Sequence, residues 1–409
     1  MQKSNLVELF ESLLTATASE EQISLLERIH IEFTNITAIA EFQKIQQDIP
    51  WTYLFHLLRS NNSDEIERLI CSILEYCITN LSIEQLRDNF YGLLNDGLDQ
   101  QTGLSVRGKL LCLKGFERLV RCSNEKCFTL IQNLFQHNQI NALLHLFLDN
   151  DQQVLWLKSK EILEQMIRNV SKVNDQLVLD TYLNDHYFHS SNRELLLSSN
   201  DRNEIVRLRL YEYLIDLCLI DHRVYEHITE KQQLLDPFLH DCTHHGEDIL
   251  YLMNCLELLT SLTQKPHTLA YLQNKTTVTD HYFRLLISKD EYGVIDLIKP
   301  GLIKFFGSYL RNYLLLLEHD ATNELLERFL PFLFDIFLQT ESGVYTAIGL
   351  GRIKIYFSAL TACLHYSIDT IGFLGKTLNG KNKLLSSAKF ADFMEILIQT
   401  IRASATEMR

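Results

Sequence analysis

One pattern recurs along this chain and limits what it can fold into. A polar or acidic start is followed by a long stretch in which apolar residues fall at i, i+3, i+4 and i+7, the stripe of an amphipathic helix. Such stretches begin near Asp64 (DEIERLICSILEYCIT), Ser105 (SVRGKLLCLKGFERLV), Gln153 (QVLWLKSKEILEQMI) and Asn203 (NEIVRLRLYEYLIDL). Three more begin near Glu247, Gly293 and Gly343. Successive starts lie roughly 41 to 50 residues apart, beside the period of about 40–47 residues that armadillo and HEAT units show. Many are preceded by a shorter amphipathic stretch and a polar turn, as in Trp51–Leu58 before Ser60–Asp64 and Ile140–Leu148 before Asp149–Asp151. Asp, Asn or Ser at such a turn caps the next helix by accepting bonds from its unpaired N–H groups. The unit is therefore short helix, capped turn, long helix.

No such unit buries its apolar stripe alone, so the units must stack into one continuous core. The expected fold is all-α, an armadillo/HEAT-like α-solenoid superhelix of about seven to nine repeats over residues 1–409. An ordinary globular helical bundle is the rival, and the regular period counts against it. Residues 171–202 break the pattern with the polar run Asn184–Asn192 and are expected to form an irregular inter-repeat segment, an elaborated loop or a distorted short helix. Composition agrees. Only 15 Gly and 5 Pro occur in 409 residues, too few for a fold of many tight turns, while 46% of residues are apolar.

The formal net charge of −14 repels phosphate backbones, and no Lys/Arg run exceeds a pair, so nucleic acid is not an expected partner. Nine scattered cysteines lack a disulfide-framework spacing and read as reduced, buried thiols. Met1–Phe10 holds no apolar signal core, and the longest apolar stretch, Phe329–Leu338, is too short to span a bilayer. The expected location is the cytosol, or cytosol and nucleus, with no membrane partner.

No motif for chemistry stands out in the sequence. The stretch Gly372–Thr377 resembles a phosphate loop, but Thr370 stands where a Walker glycine is needed and the preceding residues read as helical. His240, Cys242, His244, His245 and Asp248 are metal-ligand types, yet adjacent histidines beside Cys242 do not suit one ion and no second ligand pair follows. A polar inter-helix turn is the simpler reading, and His186 with His189 is read the same way. No GxSxG or HExxH occurs. The expectation is no enzyme, no cofactor, no metal and no small-molecule substrate.

Solenoids bind partners on their concave face. If the long helices line it, pattern alignment places there Lys114 and Arg118, Glu161 and Gln165, Glu212 and Asp216, Glu257 and Ser261, and then Lys304. The middle of that ladder is acidic and would suit a basic partner segment; simple solvation of the same positions is the competing reading. A nuclear-import adaptor of the importin-α kind needs Trp and Asn along the ladder. Trp51 and Trp156, the only tryptophans, fall elsewhere.

Three segments, Asn203–Asp216 (NEIVRLRLYEYLID), Pro300–Gly307 (PGLIKFFG) and Ile368–Gly375 (IDTIGFLG) with Asn379–Lys381 behind it, stand in an order and at separations that carry a resemblance. Over Asn203–Lys381 the chain resembles the 26S proteasome non-ATPase regulatory subunit 5 family. Upstream it shares only the repeat style. The resemblance implies a proteasome assembly chaperone that binds an ATPase subunit of the regulatory-particle base, with neighbouring base subunits, and blocks premature docking on the core particle. Members of that family continue for several more repeats, whereas this chain reaches one last helix over Phe390–Ile401 and a polar tail. The alternative function is a generic armadillo/HEAT scaffold or trafficking adaptor.

Overall fold

Ser63 accepts a hydrogen bond from the Ile66 N–H, and Ser105 accepts one from the Gly108 N–H at 3.1 Å. Asn203 and Asp248 do the same for Val206 and Tyr251, each at 3.0 Å. Ser82 and Gln85 form a reciprocal capping box, at 3.2 and 2.9 Å. These caps fix where helices begin, because each satisfies an N–H that the first turn leaves without a partner. In the computed structural model the described residues are 5–36, 42, 46–59, 63–99, 103–121, 127–149, 151–244, 248–288, 295–316, 328–331, 353–376 and scattered positions from 384 to 398. The predicted repeat starts at Glu247, Gly293 and Gly343, the stretch Asn379–Lys381 and the tail Ala403–Arg409 lie outside them.

The chain divides into two compact units, Met1–Arg202 and Asn203–Arg409. In the first, helices α1 (Asn5–Thr15), α2 (Ser19–Asn35), α3 (Trp51–Arg59), α4 (Asp64–Asn80), α5 (Ile83–Leu98), α6 (Val106–Val120), α7 (Cys127–Leu134), α8 (His137–Leu148) and α9 (Gln153–Val170) follow in order. Long helices α2, α4, α6 and α9 pack each on the next. Their buried stripes carry the predicted period: α4 buries Ile66, Leu69, Ile70, Ile73, Leu74 and Cys77. Gly115 lets α5 lie close on α6, since a Cβ there would come within 2.6 Å of Leu94 Cδ2. Residues 171–202 hold α10 (Gln176–Tyr182), a π-helical turn at Leu183–Tyr187 and α11 (Ser190–Ser198).

The second unit contains α12 (Glu204–Ile220), α13 (His222–Glu226), α14 (Asp236–His244), α15 (Ile249–Leu262), α16 (Pro266–Asn274), α17 (Thr276–Ile287), α18 (Ile295–Leu316) and α19 (Ile353–Leu374). Among the described residues here, α12, α15, α18 and α19 are the successive long helices. All-α stacking of armadillo/HEAT type is thus the observed architecture, and no strand occurs among the described residues.

Two details differ from the pattern-based expectation. Asp149 does not cap α9; Gln152 flanks that helix without a side-chain cap, and Asp149 pairs with Arg202 and with His145 Nδ1, the latter at 2.5 Å. The carboxylate is held by Arg202, in the bend just before α12, and does not serve the N-terminus of α9. Gly372 lies in the last helical turn of α19, not in an inter-helix turn, and Gly375–Lys376 form the turn itself.

Candidate functional site

Successive long helices of the first unit are locked by side chains reaching back to the preceding helix. The Tyr76 hydroxyl on α4 donates to the carbonyl of Ile36, just past α2, at 2.9 Å. Arg118 on α6 donates to the carbonyls of Ile78 and Leu81 at the end of α4. Asn169 on α9 donates to the Val120 carbonyl at the end of α6. The last carbonyls of a helix have no partner within it, so each long helix is capped by the one stacked after it. The sequence separations are 40, 40 and 37, and 49 residues, the repeat period itself.

Beside these clasps runs a partly exposed row of ion pairs. Lys114 on α6 pairs with Glu75 on α4 at 2.5 Å. Lys158 on α9 bridges Glu117 of α6 and Glu161 of its own helix, both at 2.8 Å, and Arg121 also reaches Glu117. Burial pulls the Lys158 ammonium down, but its bonds to the two glutamates outweigh that and hold it above its ordinary value. Gln165 donates to Asn169 at 3.3 Å and orients the amide that caps α6. Of the four ladder positions in this unit, Lys114 and Glu161 are therefore members of charge pairs, while Arg118 and Gln165 serve the clasps. Glu75, Glu117 and Lys158, absent from the ladder, supply the contacts between helices.

In the second unit Glu212 is exposed and Asp216 half-buried on α12. Glu257 of α15 pairs with Lys304 of α18 at 2.6 Å, and the Ser261 hydroxyl turns onto the Glu257 carbonyl at 3.2 Å. Asn312 of α18 donates to the Thr263 hydroxyl, just past α15, at 3.0 Å. Behind this surface lies a buried polar cluster that pattern reading did not find. Asp241 of α14 receives the Arg207 guanidinium at 3.2 Å, the Tyr211 hydroxyl at 2.9 Å and the Tyr251 hydroxyl at 2.6 Å. Arg207 is also stacked 5.3 Å from the centre of the Tyr251 ring. Burial, and then the Asp241 carboxylate, push both phenols well above their usual range.

Residues considered for metal binding are separated. His240 and His244 stack on each other at 4.0 Å on the outer side of α14, while Cys242 is fully buried beside Cys255 and Tyr282. His245 is outside the described residues. His189 flanks α11 and stacks on His137 at 4.5 Å. Among the described residues no three His, Cys, Asp or Glu side chains converge on a metal position, and no helix is long and apolar enough to cross a membrane. Cys71, Cys77, Cys112, Cys218, Cys242 and Cys255 are buried thiols, and burial pushes the Cys71 thiol up to about 12.

Fold and surface together define a helical repeat protein whose exposed chemistry lies on stacked long helices. The chain belongs to the proteasome non-ATPase 26S subunit family, whose sequence profile matches residues 5–409. It is 27% identical to the 26S proteasome non-ATPase regulatory subunit 5 of Mus musculus over 338 residues, 81% of this chain and 56% of that one. The human protein of the same name is 28% identical over 197 residues, 48% of this chain and 34% of its own length. The match thus spans about half or less of these relatives. Among solved structures, yeast importin-β aligns over 98% of this chain and 50% of its own at 14% identity and a TM-score of 0.45. A designed armadillo repeat protein aligns over 63% of this chain and 99% of its own, with a TM-score of 0.37.

Proposed function

We propose that this protein is an assembly chaperone of the proteasome regulatory particle, binding an ATPase subunit of the base together with neighbouring base subunits. Bound there, it would keep the particle from docking prematurely on the core. The observation that carries this reading is the family match from residue 5 to residue 409. The physical requirements are modest: a broad helical surface that covers its partner and blocks by bulk, with no bond made or broken. Release must follow assembly, which suits an interface of about 1,200–2,000 Å² with a polar rim. The same reading places the protein in the cytosol, or cytosol and nucleus.

Within each unit the long-helix surface is the proposed contact. In the second unit its exposed carboxylates, Glu212 and Glu257, with half-buried Asp216, favour a basic segment of the partner. Lys114, Arg118, Glu161 and Gln165 in the first unit, and Ser261 and Lys304 in the second, border the same surfaces.

Pull-down of the full chain followed by native-gel analysis tests the function. A regulatory-particle ATPase is expected among the bound proteins; recovery of vesicle-coat or transport factors in its place would favour the trafficking-adaptor alternative and reject this one. Reversing Glu212, Asp216 and Glu257 to Lys tests the surface. Binding should weaken while the melting temperature moves little, because substitutions at exposed positions such as Glu212 and Glu257 cost within about 0.5 kcal/mol each. Undiminished binding would place the contact elsewhere.

A further inference from the structure

Stacked imidazoles join the segment before α12 to the repeat that precedes it. His137 is the first residue of α8 and His189 is the N-cap of α11, and their rings lie 4.5 Å apart at an interplanar angle of 28°. His186 stands in the π-helical turn, its ring 5.3 Å from that of Tyr182. All three histidines are half-buried.

His189 has a defined task. Its Nδ1 accepts the Ser191 hydroxyl at 3.0 Å and the Ser191 backbone N–H at 3.4 Å, so the side chain caps the first turn of α11. Only a ring nitrogen without a hydrogen accepts. The hydrogen of the neutral ring therefore sits on Nε2, and a second proton must go to Nδ1. That proton turns the acceptor into a donor, and the cap is lost. In the same turn of α11 the buried Asn192 amide donates to the His186 carbonyl at 2.9 Å and to the Tyr187 carbonyl at 3.2 Å. The first turn of α11 thus holds the π turn, and one imidazole holds that first turn.

The surroundings do not compensate added charge. His189 and His137 stand at the N-termini of α11 and α8, where positive charge is unfavourable, and stacked cations repel. His186 has its Nδ1 buried without a hydrogen-bond partner among the described residues. Burial, then His137 and His189, hold that ring below its ordinary value; Asp185 opposes them without reversing the balance. Of the other charged side chains on the packed helices, Asp180 bonds to Gln176 at 3.2 Å and His145 to Asp149. Arg193 and Glu194 are exposed and of opposite sign.

We propose that His189, with His137 and His186, forms a proton-operated latch that holds residues 183–198 on α8 while the imidazoles are neutral and releases them when they charge. Release bares Leu195 and Leu196, which are buried in the closed form. It is local, because Tyr182 and Tyr187 donate to the carbonyls of Phe135 and Leu163 at 3.2 and 3.1 Å and keep their hydrogens while histidine titrates. His186, lowered in the fold, sets the sign: its contribution is fully present above pH ~6.5 and is lost as pH falls below that. Loss of the acceptor on His189 acts in the same direction. The latch lies wholly in the first unit and stands whether or not the chain binds the proteasome base.

Amide exchange of the full chain, read by mass spectrometry and corrected for the intrinsic effect of pH, tests the latch. From about pH 7.5 to about pH 5.5, protection over residues 183–198 should fall by about tenfold or more while α4 and α6 keep theirs. His189→Asn supplies a capping acceptor that does not titrate, so α11 should stay protected at the lower pH. His189→Ala should leave α11 poorly protected at both. Unchanged protection of the wild-type segment, an equal loss in α4 and α6, or a loss that persists undiminished in His189→Asn overturns the proposal.

Discussion

In the first unit each long helix donates hydrogen bonds to the carbonyl end of its predecessor, whereas in the second the α12, α14 and α15 helices meet around one buried carboxylate. The two devices respond differently to damage. A side chain that caps a helix end leaves, when removed, one or two carbonyls that nearby water can partly recover. Arg118 shows this case: its side chain is half-buried, and its bonds to the Ile78 and Leu81 carbonyls are only partly shielded from water. The Asp241 cluster is different because Arg207 and Asp241 keep only 14% and 9% of their side-chain surface. Removing either partner strands the other away from water, and a stranded buried charge costs more than the pair contributed. Repeats can therefore share a fold and a period while failing in different ways.

The largest expected effect is at that carboxylate. Asp241→Ala should destabilise the second unit by about 3–5 kcal/mol, read as lost hydrogen-exchange protection in α12 and α15 on the full chain. Arg207→Met and Asp241→Leu combined with Tyr211→Phe and Tyr251→Phe should recover most of it, because the charges and the hydroxyls that bonded to Asp241 are then gone together. A single-substitution cost no greater than that of Arg118→Ala would erase the contrast between the units. The same cluster makes the second unit sensitive to alkali. Tyr211 and Tyr251 are raised in the fold, so their contribution is fully present below pH ~10 and is lost as pH climbs toward their folded values. Urea unfolding at rising pH should weaken protection in α12 and α15, and Tyr211→Phe/Tyr251→Phe should flatten that trend.

Next comes Arg118→Ala, which leaves the end of α4 uncapped and should cost about 1–3 kcal/mol, with protection lost over the last turn of α4. Arg118→Lys should restore only part, as one ammonium replaces a fork that spans two carbonyls. The smallest effect belongs to the surface pairs. A double-mutant cycle on Glu75 and Lys114 should return a coupling of about 0.2–1 kcal/mol that fades in high salt. A coupling as large as the Arg118 effect would mean that charge pairs, not carbonyl clasps, set the stacking register.

Much of this molecule was legible from local pattern. The long helices at Asp64, Ser105, Gln153, Asn203 and Glu247 begin within two residues of where polar starts and apolar spacing put them. Caps and 3.6-residue stripes involve neighbours a few positions apart, so they are written in the sequence that makes them. The ladder positions were less legible. Alignment put Arg118 and Gln165 on an outward row, but a long side chain at the helix edge found unpaired carbonyls on the preceding repeat, or the amide that caps them, before it found solvent. Glu75, Glu117 and Lys158 were missed because helical periodicity tells which residues share a face and says nothing of which residue on another helix stands opposite.

The sequence alone thus determined the repeat period, the helical class, the helix starts and the buried rows, all of which follow from interactions within one or two turns. Tertiary structure decided the partners some 40 residues apart: which carbonyls Arg118 and Asn169 cap, that Asp149 serves Arg202 and not the α9 terminus, and that Asp241 gathers Arg207, Tyr211 and Tyr251. Those choices turn on the distance between helices and their rotation about their axes, which only packing of the whole stack sets.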